Sequence, residues 1–116
     1  MTEIESLEAQ KESLKVRVEM KGLVEKLMSN REFKKVVLDE FCTKEAARYV
    51  QASVNPILSP TQQADALGIA QATGHFRSWL QTQINLGNQA IKEIRDTDAE
   101  IEDLRAEEAS DEQGAE

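Results

Sequence analysis

Few residues in this 116-residue chain could carry out chemistry, and the first candidates are one histidine and one cysteine. His75 has no Cys, Asp or Glu three or four residues away, and a metal ion needs several such ligands around it. Cys42 has no histidine nearby in the sequence to activate its thiol, so we expect it to be a small buried apolar residue. The chain also lacks glycine-rich phosphate loops and the paired-histidine motif of zinc proteases. We therefore expect no catalytic residue, no metal site and no cofactor, in a protein that is not an enzyme.

Five basic residues, which we call the basic cluster, form the only basic concentration in the chain. They are Arg31, Lys34, Lys35, Lys44 and Arg48. Three aromatic residues, Phe33, Phe41 and Tyr49, lie between or beside them. Basic side chains next to exposed rings could contact nucleic acid or an acidic protein. Alternatively, the rings belong to the core and the bases form its solvated rim, which is the interpretation that we favour. Nucleic acid is therefore not the partner that we expect.

The acidic charge of the chain is concentrated at its C-terminal end. Residues 96–116 hold ten acidic residues and one basic residue, a net charge of −9, while the whole chain carries −8. Residues 49–91 contain only two charged residues, Asp65 and Arg77. Solvated helices usually carry more charge than this. The region therefore either packs against partners on several faces or is enclosed by its own chain, and both interpretations stay open.

The elements that would position these residues are helices. Gly and Pro number only 5 and 2, which argues against a turn-rich β fold. The sequence predicts helices over residues 3–28, 31–41 and 44–54, with Asn30 and Thr43 as caps of the second and third. The apolar sides of the two short helices would form the core. They comprise Phe33, Val36, Val37 and Phe41 in one helix and Ala46, Ala47, Val50 and Val54 in the other.

The last helix has the clearest start signal. Ser59, Pro60 and Gln62 form a capping box with proline at the first helical position. No proline follows, so the helix can run to about residue 107, and its glycines could let another backbone approach closely. We expect a single helical domain over residues 1–108 and a disordered acidic tail over 109–116.

The first and last helices carry apolar seams with the alternating spacing of three and four residues that is typical of coiled coils. The first seam comprises Ile4, Leu7, Lys11, Leu14 and Val18, and the second comprises Ile91, Ile94, Asp98, Ile101 and Leu104. Aligned antiparallel, the seams place Lys11 opposite Asp98, so that two charges that would each be unfavourable alone form a pair. We predict that these two side chains approach each other, within one chain or between two antiparallel chains.

The middle of the last helix favours self-association. Small residues recur there at about four-residue spacing, which lets helix axes come close; they are Ala66, Ala70, Gly74 and Ser78. A monomer could bury the large apolar residues of this region only against the two short helices, which offer a modest core. Those large residues are Leu67, Ile69, Phe76, Trp79, Leu80 and Ile84.

Four segments occur in a characteristic order before and within the last helix. They are LMSNREFKKVVLDEF (27–41), KEAAR (44–48), NPILS (55–59) and GNQAIKEI (87–94). In this order, the chain resembles small helical proteins of tailed bacteriophages, over roughly residues 20–105. Such proteins are commonly encoded among head and virion structural genes. The resemblance implies a virion component or assembly factor that acts through protein contacts, with no active site to carry over.

The sequence thus predicts an all-α fold in which a long C-terminal helix pairs antiparallel with an N-terminal helix, with two short helices between them. We expect a phage structural or assembly protein that binds itself or other virion proteins, located in the virion or the host cytoplasm. The alternative is an acidic adaptor or inhibitor that binds a basic host protein or a nucleic-acid-binding protein. No apolar run is long enough for a membrane span, and the first 30 residues are too charged for a signal peptide, so neither membrane insertion nor secretion is expected.

Overall fold

The computed structural model describes residues 2–114, and this part of the chain is helical without a strand. The elements are α1 (Glu3–Ser29), α2 (Arg31–Phe33), a π-helix (Lys34–Glu45), α3 (Ala46–Ser53) and α4 (Pro60–Gly114). We call residues 31–53, which comprise α2, the π-helix and α3, the middle region. The predicted all-α fold is confirmed, and so is the packing of the long C-terminal helix against the N-terminal one.

Polar caps set two helix boundaries, as the sequence predicts. Asn30 separates α1 from α2, and its side-chain oxygen accepts a hydrogen bond from the Phe33 backbone N–H at 2.7 Å. At the start of α4, the Gln62 backbone N–H donates to the Ser59 hydroxyl at 3.1 Å, and the Ser59 N–H donates to the Gln62 side chain at 2.9 Å. This reciprocal pair is the predicted capping box, which satisfies two backbone donors that the helix itself leaves unpaired.

The middle region is continuous, whereas the sequence predicts two helices with a break at Cys42 and Thr43. Thr43 is not a helix cap, because it lies inside the π-helix and its hydroxyl donates to the Leu38 carbonyl, five residues back, at 2.9 Å. A π-helix bonds residues that are five apart in the chain. The ion pair between Lys35 and Glu40, at 2.8 Å, spans the same separation. Two side-chain interactions of this segment therefore follow the π-helical spacing, while the pair of Lys44 with Glu40 keeps the four-residue spacing of an α-helix.

The C-terminal boundary also differs from the prediction. α4 continues to Gly114, so residues 109–114 are helical where a disordered tail is expected. Alanine and glutamate are good helix formers, and extending an existing helix needs no new nucleation. Residues 115–116 lie outside the described part of the chain.

The contacts of the chain divide into two compact units, and α1 and α4 contribute to both. Among the described residues, unit 1 consists of 2–22 with 83–114, and unit 2 consists of 23–82. The single helical domain over 1–108 stays a prediction, because α1 and α4 are each continuous through both units.

In unit 1, α1 and α4 run antiparallel and are joined by two ion pairs. Lys11 binds Asp98, which is the contact predicted from the seams. Arg105 binds Glu8 at 2.8 Å. Residue numbers rise along one helix as they fall along the other, which establishes the antiparallel direction.

The buried seam of α4 differs from the predicted one at two positions. Ala90 and Thr97 are buried, with exposed fractions of 0% and 7%, whereas Ile91 and Asp98 lie at the edge of the interface. Small side chains allow the two helices to approach closely, and the larger or charged neighbour then stays at the rim. The other seam positions are buried or half-buried as predicted. They are Ile4, Leu7, Lys11, Leu14, Val18, Ile94, Ile101 and Leu104.

Gly87 lies where α4 contacts the Lys21 side chain of α1 within unit 1. It is buried, and a Cβ atom built at this position would overlap the Cβ of Lys21. Gly68 and Gly74, on the same helix, have open space around them. Gly87 therefore leaves room for the side chain of Lys21 on α1, which a larger residue at this position would displace.

In unit 2, the middle region packs on α4 through a small core. The rings of Phe33 and Phe76 lie 6.5 Å apart and are tilted by 58°, a favourable aromatic geometry. The guanidinium of Arg77 donates to the Thr43 hydroxyl at 3.4 Å. The buried side chains of this unit are Val24, Cys42, Ala66, Thr73 and Leu80. This core is small, so it leaves many apolar side chains of the unit uncovered.

Candidate interaction surface

Unit 2 exposes most of the large apolar side chains that remain in contact with solvent. Among residues 2–114, such side chains are exposed at fourteen positions, and eleven of them belong to unit 2. The eleven are Leu23, Leu27, Val36, Phe41, Val50, Val54, Ile57, Leu67, Ile69, Phe76 and Trp79. Single exposed apolar residues are normal in proteins, but a concentration of this kind indicates a binding surface.

The middle region contributes apolar residues that the sequence assigns to the core. Val36 and Phe41 are 61% and 46% exposed, and Val50 and Val54 are 51% and 76% exposed. In the π-helix each residue turns through a smaller angle than in an α-helix, so the predicted face of the second helix does not form. Phe33 and Val37 are half-buried instead.

On α4, a line of large residues remains half-open to solvent. Leu80 is buried, with 2% of its surface exposed, but Ile69, Phe76 and Trp79 keep 38%, 37% and 50%. No charged residue occurs from position 66 to 76, and Arg77 interacts with Thr43 of the middle region. The exposed side chains of residues 66–76 therefore carry no charge and include Leu67, Ile69 and Phe76, which suits contact with another protein surface.

The basic cluster lies on the middle region and is largely neutralised by neighbouring acids. Glu40 accepts hydrogen bonds from Lys35 at 2.8 Å and from Lys44 at 2.9 Å. These two ammonium groups lower the pKa of the Glu40 carboxyl from 4.5 to about 2. In turn, the hydrogen bond from Lys35 to Glu40 raises the pKa of the Lys35 ammonium. Arg48 forms a two-pronged pair with Glu45, at 3.0 and 3.1 Å.

All five members of the basic cluster are exposed, and Lys35, Lys44 and Arg48 form ion pairs with Glu40 or Glu45. Because these three already bind carboxylates within the same region, the cluster presents less positive charge than its basic residues alone suggest. A phosphate backbone is bound through several unneutralised cations, so this arrangement weakens the case for a nucleic-acid interface. Of the interleaved rings, Phe33 packs inward, Tyr49 is half-buried and Phe41 is exposed.

Two cavities open on unit 2. The first, of about 290 Å³, has a mixed polar and apolar lining that comprises Met28, Leu38, Arg77, Ser78, Leu80 and Gln81. The second, of about 250 Å³, lies along the basic cluster and is lined by Val36, Glu40, Phe41, Lys44, Glu45 and Arg48. Neither lining holds a histidine, a cysteine or a hydroxyl group next to a base, the arrangement that nucleophilic catalysis requires. Both are depressions in the surface of unit 2, and four charged side chains line the second.

The single histidine and the single cysteine, which are the candidates for metal or thiol chemistry, differ in solvent exposure. His75 is exposed, and Cys42 is buried with a free thiol, as expected for a small apolar residue. Within residues 2–114, no three His, Cys, Asp or Glu side chains come together as a metal site would require. None of the described helices combines the length and the apolar character needed to cross a bilayer.

Comparison of the chain with models of protein families, with curated proteins and with solved structures finds no match.

Proposed function

We propose that this chain is a non-enzymatic structural or assembly protein that acts through helix-mediated contacts with a second copy of itself or with a larger protein assembly. The proposal rests above all on the large apolar side chains that unit 2 leaves exposed. Exposed apolar area on a folded protein is unfavourable unless a partner covers it, so its concentration on one unit supports a binding role.

The low charge of the same region also supports the proposal. Residues 49–91 carry only Asp65 and Arg77, and the structure leaves Leu67, Ile69 and Trp79 of this stretch exposed. Of the two interpretations of the low charge, enclosure by the chain itself therefore does not account for these side chains. Contact with a partner is the interpretation that we propose.

The resemblance to small helical proteins of tailed bacteriophages gives this binding role its biological setting. In that setting, the protein is a virion component or an assembly factor. Mass spectrometry of purified particles of the source phage tests this part, because a structural component is recovered in a fixed copy number per particle. Absence of the chain from both particles and assembly intermediates contradicts it.

Self-association is tested by light scattering during size-exclusion chromatography. An oligomer with a mass above the 13.0 kDa of one chain is the expected result. A monomer at every accessible concentration contradicts self-association. The remaining proposal is then docking on another virion protein, which the analysis of particles tests.

The acidic end of α4 supports a second candidate function, an acidic adaptor that binds a basic protein. Glu102, Asp103, Glu107, Glu108 and Asp111 are all exposed on the helix. Such a surface attracts basic partners through long-range charge, and the attraction weakens with salt. A monomeric protein that binds a basic partner only at low salt would favour this candidate over the assembly role.

A further inference from the structure

Four residues on the exposed side of α4 in unit 2 recur at intervals of three, four and three residues. They are Ile69, Ala72, Phe76 and Trp79, which we call the α4 stripe. The spacing places them along one side of the helix, as in a coiled-coil seam. All four retain exposed surface, with Trp79 half-exposed, while the ring of Phe76 also packs against Phe33 on its other side. Tryptophan is the residue most enriched at the energetic centres of protein interfaces.

We propose that the α4 stripe binds the same stripe of a second copy of this chain, with the two α4 helices antiparallel. The inference rests on the proposed function, since it identifies the surface and the partner through which self-association occurs.

The chemistry of the stripe and of its edges favours an uncharged partner. The positions that flank it on the exposed side are Gly68 and His75, and no charged residue occurs from 66 to 76. Between Asp65 and Arg77, a partner with charges would lose their hydration without gaining an opposite charge, which is unfavourable. The α4 stripe of a second copy is a helical surface that is uncharged and apolar in the same way.

The antiparallel direction fits large residues against small ones. When the two helices cross near residue 74, Trp79 of one copy faces Ile69 of the other, and Phe76 faces Ala72. Gly68, one residue before Ile69, has open space around it and leaves room for an indole ring. Facing positions that alternate in size are what well-packed helix interfaces show. A parallel arrangement would instead place each tryptophan against the other.

The same arrangement keeps like charges apart. Asp65 lies one step beyond Ile69 in the direction of the N-terminus of α4. In an antiparallel pair, the two Asp65 residues lie at opposite ends of the contact, about 27 Å apart along the axis at 1.5 Å per residue. Repulsion between them is therefore screened at physiological salt.

The exposed area indicates a weak dimer. From their exposed fractions, the three large side chains of the stripe offer on the order of 250 Å² per copy, while a standard stable interface buries about 800 Å² per partner. We therefore expect a reversible dimer with a dissociation constant on the order of 100 μM.

The single tryptophan makes the contact directly measurable. In the full chain, Trp79 emission should shift to shorter wavelength as the concentration rises from about 1 μM to about 1 mM, since the indole leaves water when the dimer forms. Over the same range, the mass from light scattering should rise from 13.0 kDa toward twice that value.

Two matched variants locate the interface. Ile69→Glu places an unpaired carboxylate opposite the tryptophan of the partner, and it should abolish both the emission shift and the rise in mass. Leu67→Glu makes the same change at a side chain of similar exposure on the same helix, about 200° away around the axis, and should leave both unchanged. Circular dichroism of both variants checks that the helix content is retained.

The outcomes separate this inference from the proposed function. If the wild type associates but Ile69→Glu has no effect, or if Leu67→Glu abolishes association instead, the α4 stripe is not the interface and self-association by another surface stands. If the wild type stays at 13.0 kDa with unshifted emission throughout, self-association itself is wrong, and the stripe has no second copy to bind.

Discussion

Glu40 shows how a single residue of the middle region depends on its neighbours. Lys35 lies five residues before it and Lys44 four residues after it, and both donate to the same carboxylate oxygen. The first contact follows the spacing of the π-helix and the second that of an α-helix. This carboxylate thus links side chains on successive turns of the segment.

The pKa of Glu40 leads to a prediction about pH. Because the folded pKa is lowered from 4.5 to about 2, the ionised carboxylate stabilises the folded protein above about pH 4.5, and this contribution is lost as the pH falls toward about 2. Glu40→Gln should therefore melt at a lower temperature than the wild type at pH 7. The difference should shrink between pH 4.5 and 2.

A neighbouring carboxylate provides the control for this pH series. Asp39→Asn removes a side chain that forms no ion pair among the described residues, so its melting temperature should follow that of the wild type more closely. A difference between Glu40→Gln and the wild type that stays constant down to pH 2 would contradict the role of the two lysines.

Gly87 gives the second prediction at this scale. Gly87→Ala introduces a Cβ atom that would overlap the Cβ of Lys21, which cannot move without shifting α1, so we expect the free energy of unfolding to fall by about 1–3 kcal/mol. Gly74→Ala, on the same helix but in open space, should instead stabilise the helix by about 0.5–1 kcal/mol. Chemical denaturation of both variants measures the contrast. Equal stabilisation by both substitutions would mean that the helices do not approach at Gly87.

At the scale of the elements, the start of α4 depends on two side chains. Ser59 and Gln62 bind each other's backbone N–H groups and fix the point at which the helix begins. Ser59→Ala should lower the free energy of unfolding by about 1 kcal/mol, because it leaves the Gln62 N–H without its capping partner. Thr61→Ala, at an exposed position in the same turn, is the matched control and should have a smaller effect. Thermal melts that show the two variants to be equal would rule out the capping role.

The sequence predicts those elements whose cause is local. The Asn30 cap and the capping box depend on side chains within three residues of the groups that they bind, so they can be read directly from the chain. The π-helix has no comparable signal. Its residues are ordinary helix formers, and only pairs five residues apart, such as Lys35 and Glu40, distinguish it from an α-helix.

The packing of the two seams was also only partly predictable from the sequence. Direction and register follow from the apolar spacing, and the contact between Lys11 and Asp98 was predictable from them. The choice of Ala90 and Thr97 as the buried residues of α4 depends on how closely the two helices approach. Small residues such as Gly87 influence that distance. A rule based on the spacing of large apolar residues does not take them into account.

At the scale of the whole chain, apolar residues and charges are unevenly distributed between the two units. Exposed large apolar side chains concentrate in unit 2, whereas the excess acidic charge of the chain lies in residues 96–116, which belong to unit 1. The candidate surface was predictable only in part. The low charge of residues 49–91 is visible in the sequence, but the exposure of Val36 and Phe41 follows from the π-helix.

The central structural claim is that α1 pairs with α4 inside one chain. Both proposals depend on it, because each assumes that the helices of one chain are folded before they bind a partner. Carbodiimide coupling tests it in the wild-type protein, since the reagent joins an amine and a carboxylate only when they are in contact. The ion pair between Lys11 and Asp98 should become an amide bond that peptide mass spectrometry detects. The pair between Lys15 and Glu12, within a single turn of α1, serves as the positive control.

Coupling in an equal mixture of ¹⁴N-labelled and ¹⁵N-labelled protein tells whether the two residues belong to one chain. The structure predicts a Lys11–Asp98 link in which both peptides carry the same isotope. Mixed-isotope links at these residues, or no link while Lys15 and Glu12 are joined, would contradict the antiparallel pairing of the two helices within one chain.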